Sequence, residues 1–230
     1  MQFVERSIIG LRSARHVFES PSHPAQVTLF PMVHIGEARF FDEVYRDALD
    51  HDVLLFEGVK SPVVGHLTRS YRWLDSGRLG LVAQPRMPAG AGGAERIHAD
   101  VSQAEFEAAW KTLPLALRIL CVAYAPWTGL RRRWFSTRDS LSQGLDVDDL
   151  RTRESSLFWD ADSAALQNVI RTRRDMRLCE KLTAVLDRTE ELSIAVVFGA
   201  NHMPAVSRML SDYAGFRPAG SEWMTVFGLD

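Results

Sequence analysis

The hydrophobic positions of this chain include three short apolar runs, at residues 27–33, 53–56 and 192–198. Runs of this length, bounded by glycine or proline, are typical of buried strands. Residues 40–49, between the first two runs, place apolar side chains at helical spacing. A strand, a helix and a strand in this order form a βαβ unit, which normally gives a parallel pair of strands. The pattern therefore predicts an α/β fold with a mixed, mostly parallel central sheet flanked by helices.

The rest of the pattern adds strands at the two ends of the chain and helices in its middle. We expect one or two strands within residues 2–18 and single short strands at residues 96–101 and 223–229. Ser102 and Glu105 form a capping-box pattern that opens a helix. Helices are predicted at residues 65–74, 102–110, 113–124, 163–186 and from Pro204 onward, and loops at residues 85–93 and 140–149. We expect residues 1–230 to form a single domain, with a helical insertion or cap at about 103–160.

Composition and charge exclude several classes of protein. The chain has 230 residues, of which 46% are hydrophobic and 24% charged, as in ordinary globular domains. Its net charge of −2 provides no global field for nucleic acid, which is not an expected partner. Two cysteines argue against a disulfide framework. The sequence lacks the pattern of a signal peptide or of a spanning helix, so we expect a cytoplasmic protein. The oligomeric state is left open.

Three polar residues follow the three apolar runs: His34, Glu57 and His202. Ligands of open α/β sheets bind beyond the carboxyl ends of parallel strands. Two imidazoles and a carboxylate that meet there would suit a divalent metal with an open coordination position, the arrangement of catalytic metal sites. The alternative is that these residues cap helices or are ordinary, partly buried side chains.

The chain also resembles a known family in four blocks, FPMVHIG, LLFEGV, RTRRDMRLCEKL and VVFGANHMPAV. In order, they resemble the blocks of the TraB/PrgY/Tiki superfamily, which includes GumN-like proteins and is marked by two G-x-x-H motifs. The second motif is complete from Gly199 to His202. In the first, Pro31 stands where the family has glycine. In the long helix Arg173 stands where an acidic residue is usual, while Arg174 and its neighbour Asp175 match.

This resemblance implies a metal-dependent, peptidase-like protein, with the two histidines and the acidic residue at its site. Family members often carry an aspartate at the position of Asp100, where it would complete the metal shell or orient a histidine. An equally open interpretation is that Asp100 accompanies Ser102 at the start of a helix.

Arginines of the long helix are candidates for substrate binding. Arg174 or Arg173 would clamp a substrate carboxylate or a developing oxyanion, and Arg69 is a weaker candidate for the same role. The default interpretation of these arginines is a solvated helix face.

The segment PWTGLRRRWF, residues 126–135, interleaves aromatic and basic residues. This composition suits an anionic membrane surface or a nucleic-acid backbone, although an exposed turn is the simpler interpretation.

Three functional hypotheses follow. The first is a metal-dependent hydrolase of a peptide or small molecule, with Mn²⁺, Co²⁺ or Zn²⁺ held by His34, His202 and a carboxylate, and with Glu57 as ligand or general base. The second is a non-catalytic regulatory protein that binds a metal or a peptide in the same pocket. The third is a peripheral membrane protein that contacts the membrane surface weakly through residues 113–135.

Overall fold

A computed structural model of the protein describes residues 1–88, 93–145 and 166–229. The strands in it are β1 (Val4–Ser7), β2 (Gly10–Ser20), β3 (His23–Met32), β4 (Ile35–Gly36), β5 (Val53–Phe56), β6 (Val82–Ala83), β7 (Glu95–His98), β8 (Ser193–Gly199) and β9 (Arg217–Gly228). The α-helices are α1 (Ala38–Leu49), α2 (Pro62–Leu67), α3 (Ser76–Leu79), α4 (Gln103–Thr112), α5 (Leu115–Phe135), α6 (Arg138–Leu145), α7 (Arg173–Leu186) and α8 (Met203–Ala214). Short 3₁₀ segments at Thr68–Trp73 and Ala200–His202 and a π-helical turn at Asn168–Thr172 complete the order.

The main sheet is mixed, as the pattern predicts. Its path runs β1-β2-β3-β8-β5-β7, and β9 pairs with β2. The strands β3, β8, β5 and β7 are mutually parallel, whereas β2 is antiparallel to β1, β3 and β9. The predicted α/β class with a mostly parallel centre flanked by helices is therefore confirmed.

The predicted βαβ unit is only partly correct. The strands β3 and β5 flank α1 and are parallel, but β8 lies between them and pairs with both. Their direct pairing was the simplest expectation for strands close in sequence, and it is wrong. The local pattern of residues 27–56 cannot show that a strand more than 130 residues later occupies the central position.

Side chains alternate between two cores on opposite faces of the sheet. Phe30, Leu54 and Val197 pack with the apolar side of α1. Their neighbours Leu29, Leu55 and Val196 pack with α7 and α8. Because both faces of the central strands are covered by helices, their sequences are continuously apolar rather than alternating.

Pro31 lies at the end of β3, as expected for a residue without an N–H group. It is the penultimate residue of the strand and comes after Leu29, the last residue of β3 paired with β2. Its carbonyl oxygen accepts a hydrogen bond of 2.6 Å from the Ser13 hydroxyl.

The helices α4, α5 and α6 follow one another over residues 103–145, within the range predicted for an insertion or cap. The capping box of Ser102 and Glu105 is present. Two expectations are corrected here. Residues 126–135 form no turn, because α5 continues through Pro126 to Phe135. Residues 140–145 belong to α6 rather than to a loop, and the rest of that predicted loop lies outside the described residues.

No single helix of the described segments is long and apolar enough to cross a bilayer. The helices α4 and α5 reach that length and hydropathy only when taken together, and they are bent by 117° relative to each other.

Candidate functional site

The carboxyl ends of the four parallel strands carry the predicted polar residues. His34 follows β3, Glu57 follows β5 directly, Asp100 follows β7, and His202 ends the 3₁₀ turn that follows β8. Contacts among three of these residues, together with two residues of α7, define the candidate site.

Arg174 joins two of the carboxylates. Its Nε donates to Oδ1 of Asp100 at 2.9 Å and its Nη2 donates to Oδ2 of the same residue at 2.7 Å. The same Nη2 also donates to Oε2 of Glu57 at 3.3 Å. The paired, fork-like contact with Asp100 is the strong form of an arginine–carboxylate interaction.

Asp100 is engaged on both of its oxygens. Besides Arg174, it accepts hydrogen bonds from the backbone N–H groups of Gly58 and Val101, at 3.1 and 2.8 Å. Burial alone would raise the pKa of this carboxyl, but the hydrogen bonds and charge of Arg174 outweigh it, so the pKa is lowered. In the structure Asp100 thus anchors Arg174, a contact that the sequence did not predict, and its predicted role in a metal shell stays a prediction.

His202 is held by a carboxylate from α7. Its Nδ1 lies 2.6 Å from Oδ1 of Asp175, and its ring packs edge-on against Phe198 with centroids 5.0 Å apart. The side chain is only 6% exposed, against 17% for Asp175. With the proton on Nδ1 donated to Asp175, the other ring nitrogen, Nε2, presents a lone pair.

Gly199 brings Glu57 and His202 together. Its N–H donates to Oε2 of Glu57 at 3.1 Å. A methyl group at its Cα would lie 3.4 Å from that oxygen and 3.4 Å from Cδ2 of His202. The carboxylate and the imidazole therefore lie against the same small residue, at the end of the central strand β8.

His34 belongs to a different set of contacts. After β3 the chain enters β4, which pairs with β6 and forms a small second sheet. This directs the exposed His34 side chain toward Gln84, whose Oε1 lies 3.3 Å from Nδ1, and toward the ring of Tyr71 at 4.9 Å.

Of the arginines predicted to bind substrate, only Arg174 is part of the site. Arg69 and Arg173 are exposed, and no described contact joins them to Glu57 or His202. Asp175 and Gly199 also belong to the site; the sequence matched both to the motifs of the resembled family but assigned no role to either. The signal for Asp175 was its match, together with Arg174, to the helix pattern of that family; neighbouring helix residues diverge by about 100°, so each can reach a different strand end.

The residues present provide two candidate donors for a metal ion, which lie against the same glycine, rather than a complete centre. Glu57 and His202 are suitable ligand types, and the carboxylate behind His202 is the usual partner of a ligating histidine. Within the described segments, however, no group of three or more His, Cys, Asp or Glu side chains is arranged to hold an ion. The predicted third ligand, His34, has the separate contacts given above, so the divalent ion stays a prediction.

Comparison of the chain with family models, with curated proteins and with solved structures gave no match. The resemblance to the TraB/PrgY/Tiki superfamily therefore depends on the four sequence blocks and their order alone.

Proposed function

We propose that the protein is a hydrolase of peptide-like bonds whose reacting centre is the pair formed by Glu57 and His202. The contact between His202 Nδ1 and Asp175 carries this proposal, because it orients a buried imidazole with one nitrogen left for proton transfer. The order of the four sequence blocks supports the same class of chemistry.

In this proposal His202 is the general base. Its Nε2 takes a proton from the attacking water while Asp175 holds the ring and stabilises the imidazolium that forms. The same proton then passes to the leaving group. Glu57, held by the N–H of Gly199 and by Arg174, faces the same space and orients the water.

Arg174 acts as a positioning residue in this scheme. Its Nε and Nη2 groups donate to Asp100 and Glu57, and the contact with Glu57 fixes the position of that carboxylate.

A divalent ion, Mn²⁺, Co²⁺ or Zn²⁺, would be an alternative to proton transfer by His202, because the one lone pair of Nε2 cannot both bind an ion and accept a proton. Glu57 and His202 would hold the ion, which would lower the pKa of a coordinated water toward about 7. The other site residues keep the roles given above.

The test is cleavage of a defined peptide mixture followed by mass spectrometry, with and without each of these ions. The variants His202→Ala and Glu57→Gln are expected to lose activity by at least about 100-fold. The control is His66→Ala, whose imidazole contacts the Val122 carbonyl on α5. Full cleavage by both site variants would refute the proposal.

The alternative of a non-catalytic binding protein predicts a different result: the protein binds a metal ion but cleaves no peptide. Metal bound at one ion per chain, lost in both site variants, with no cleavage of any peptide, would favour it over the hydrolase. If the protein neither cleaves peptides nor binds an ion, both hypotheses fail.

A further inference from the structure

The outward side of α5 is unusually apolar for a surface helix. Nine of the sixteen large hydrophobic side chains that are exposed in the described segments belong to this one 21-residue helix. The most exposed of them are Leu115, Ile119, Trp127, Trp134 and Phe135, each with at least 60% of its surface accessible. Apolar residues concentrated in this way mark an interaction surface, whereas scattered ones do not.

These residues are not needed to attach α5 to the protein, because the opposite side of the helix does that. Leu117, Ala125 and Gly129 are buried there. At Gly129 the contact is so close that an added methyl group would lie 2.7 Å from the ring of Trp73. The helix thus has an inner side packed on the domain and an apolar outer side.

The charges of α5 all have one sign. The helix contains Arg118, Arg131, Arg132 and Arg133 and no aspartate or glutamate. Arg132 is held inward by a 2.6 Å hydrogen bond to the Ser70 hydroxyl, but Arg131 and Arg133 are exposed. Exposed arginines next to tryptophan and phenylalanine, on a helix with an apolar side, are typical of segments that lie in a membrane interface.

We propose that the outer side of α5 docks on the surface of a bilayer that contains anionic lipids, with the helix parallel to the membrane plane. The arginines match the negative headgroups, and the apolar side chains reach the boundary of the acyl chains. A helix of this length lies flat over about 30 Å. The 117° bend between α4 and α5 fits docking on the surface rather than a continuous span.

Charge also argues against a second copy of the chain as the binding partner of the outer side of α5. Two α5 helices packed by their outer sides would bring like charges together, with no acidic residue on either helix to compensate them. The membrane proposal does not depend on the activity of the Glu57–His202 centre.

The test is sedimentation of the full chain with vesicles of phosphatidylcholine alone or mixed with phosphatidylserine. We expect binding to the mixed vesicles that weakens as salt is added. Arg131→Gln with Arg133→Gln should weaken this binding by about 5-fold per arginine, with little change on phosphatidylcholine alone. Trp127→Ser with Trp134→Ser should weaken it by more than about 10-fold on both lipids. All substituted side chains are exposed, so unchanged circular dichroism checks the fold.

The matched control is Ile8→Ser with Ile9→Ser, two exposed apolar residues of the turn between β1 and β2, at 96% and 62% accessibility. It should leave binding unchanged. The proposal is overturned if the wild type does not sediment with the mixed vesicles, or if the control loses as much binding as the tryptophan variant. It is also overturned if light scattering shows a dimer that the tryptophan variant dissociates, because the outer side of α5 is then a subunit contact.

Discussion

At the scale of single residues, the pair of Arg174 and Asp100 fixes the position of the Glu57 carboxylate. The Asp100 side chain is fully buried and Arg174 is 18% exposed, so the negative charge of Asp100 is stabilised by Arg174 rather than by water. Removal of Arg174 would leave Asp100 without a compensating charge, and removal of Asp100 would leave Arg174 only its 3.3 Å contact with Glu57. Either change should destabilise the protein more than loss of a surface pair.

Asp100→Asn should therefore lower the free energy of unfolding by about 3 kcal/mol. The control is Asp139→Asn, because the pair of Asp139 with Arg6 is 53% and 36% exposed and should contribute less than about 1 kcal/mol. Urea unfolding of the three proteins at neutral pH measures both changes. Equal effects of the two substitutions would contradict the role given to Asp100.

Asp100 should also make the free energy of unfolding depend on pH. The pKa of Asp100 is lowered in the folded protein, through Arg174. Its stabilisation is therefore complete above the ordinary carboxyl pKa of about 4 and is lost as the pH falls through the lower folded value. The difference in unfolding free energy between the wild type and Asp100→Asn should shrink as unfolding is measured from pH 7 down to about pH 3. A constant difference over this range would exclude ionised Asp100 as its source.

Cys179 offers a separate test of the packing beneath α7. Burial, with a smaller effect of the nearby Asp175 charge, raises the pKa of its thiol to about 11. Compared with an ordinary thiol, its thiolate fraction at pH 8 should be roughly 100-fold smaller. Alkylation of Cys179, followed by peptide mass spectrometry, should be slow in buffer and fast in urea. Rapid alkylation of the folded protein would show that the side of α7 that carries Cys179 is not packed against the core.

At the scale of elements, the turn from β8 into α8 is the part that brings the site together. Gly199 is followed by a 3₁₀ turn that ends at His202, and α8 starts at Met203 with Pro204 in its first turn. The backbone of Gly199 has φ of −52°, which other residues adopt, so its lack of a side chain matters for space rather than for conformation.

Gly199→Ala should therefore fold normally yet be less active. The added methyl group would lie 3.4 Å from both Glu57 Oε2 and His202 Cδ2, in the space between them. We expect a change in unfolding free energy within about 1 kcal/mol and a fall in kcat/KM of at least about 10-fold. Unchanged kcat/KM would mean that the reaction does not use this space.

Sequence pattern predicted the elements well where the signal was local. The strand Val53–Phe56 and the capping box before α4 are as expected, and α1 begins two residues before the predicted range. The extension of α5 through Pro126 was missed, because a helix-breaking residue and an arginine-rich stretch resemble a turn. Packing of the inner side of α5 on the 3₁₀ segment Thr68–Trp73 outweighs that local preference.

At the scale of the whole molecule, the order of strands explains what the sequence could and could not predict about the site. Strand-end positions of Glu57 and His202 were visible in sequence, because parallel strands place their carboxyl ends at one edge. The insertion of β8 between β3 and β5 could not be predicted from the sequence, and it is β8 that places Gly199 beside Glu57. The sequence also could not predict that His34 has contacts apart from the site. The strands β4 and β6, which give it those contacts, have only two residues each.

Glu57 and His202 are proposed to act as one reacting unit, and a double-mutant cycle on peptide cleavage is the sharpest test of that unit. The measurement is kcat/KM for the wild type, Glu57→Gln, His202→Ala and the double variant. Residues that act as a unit are strongly non-additive. We therefore expect the kcat/KM of the double variant to be no lower than that of the less active single variant. Losses that multiply, with the double variant slower by the product of the two single effects, would show that the two residues act independently.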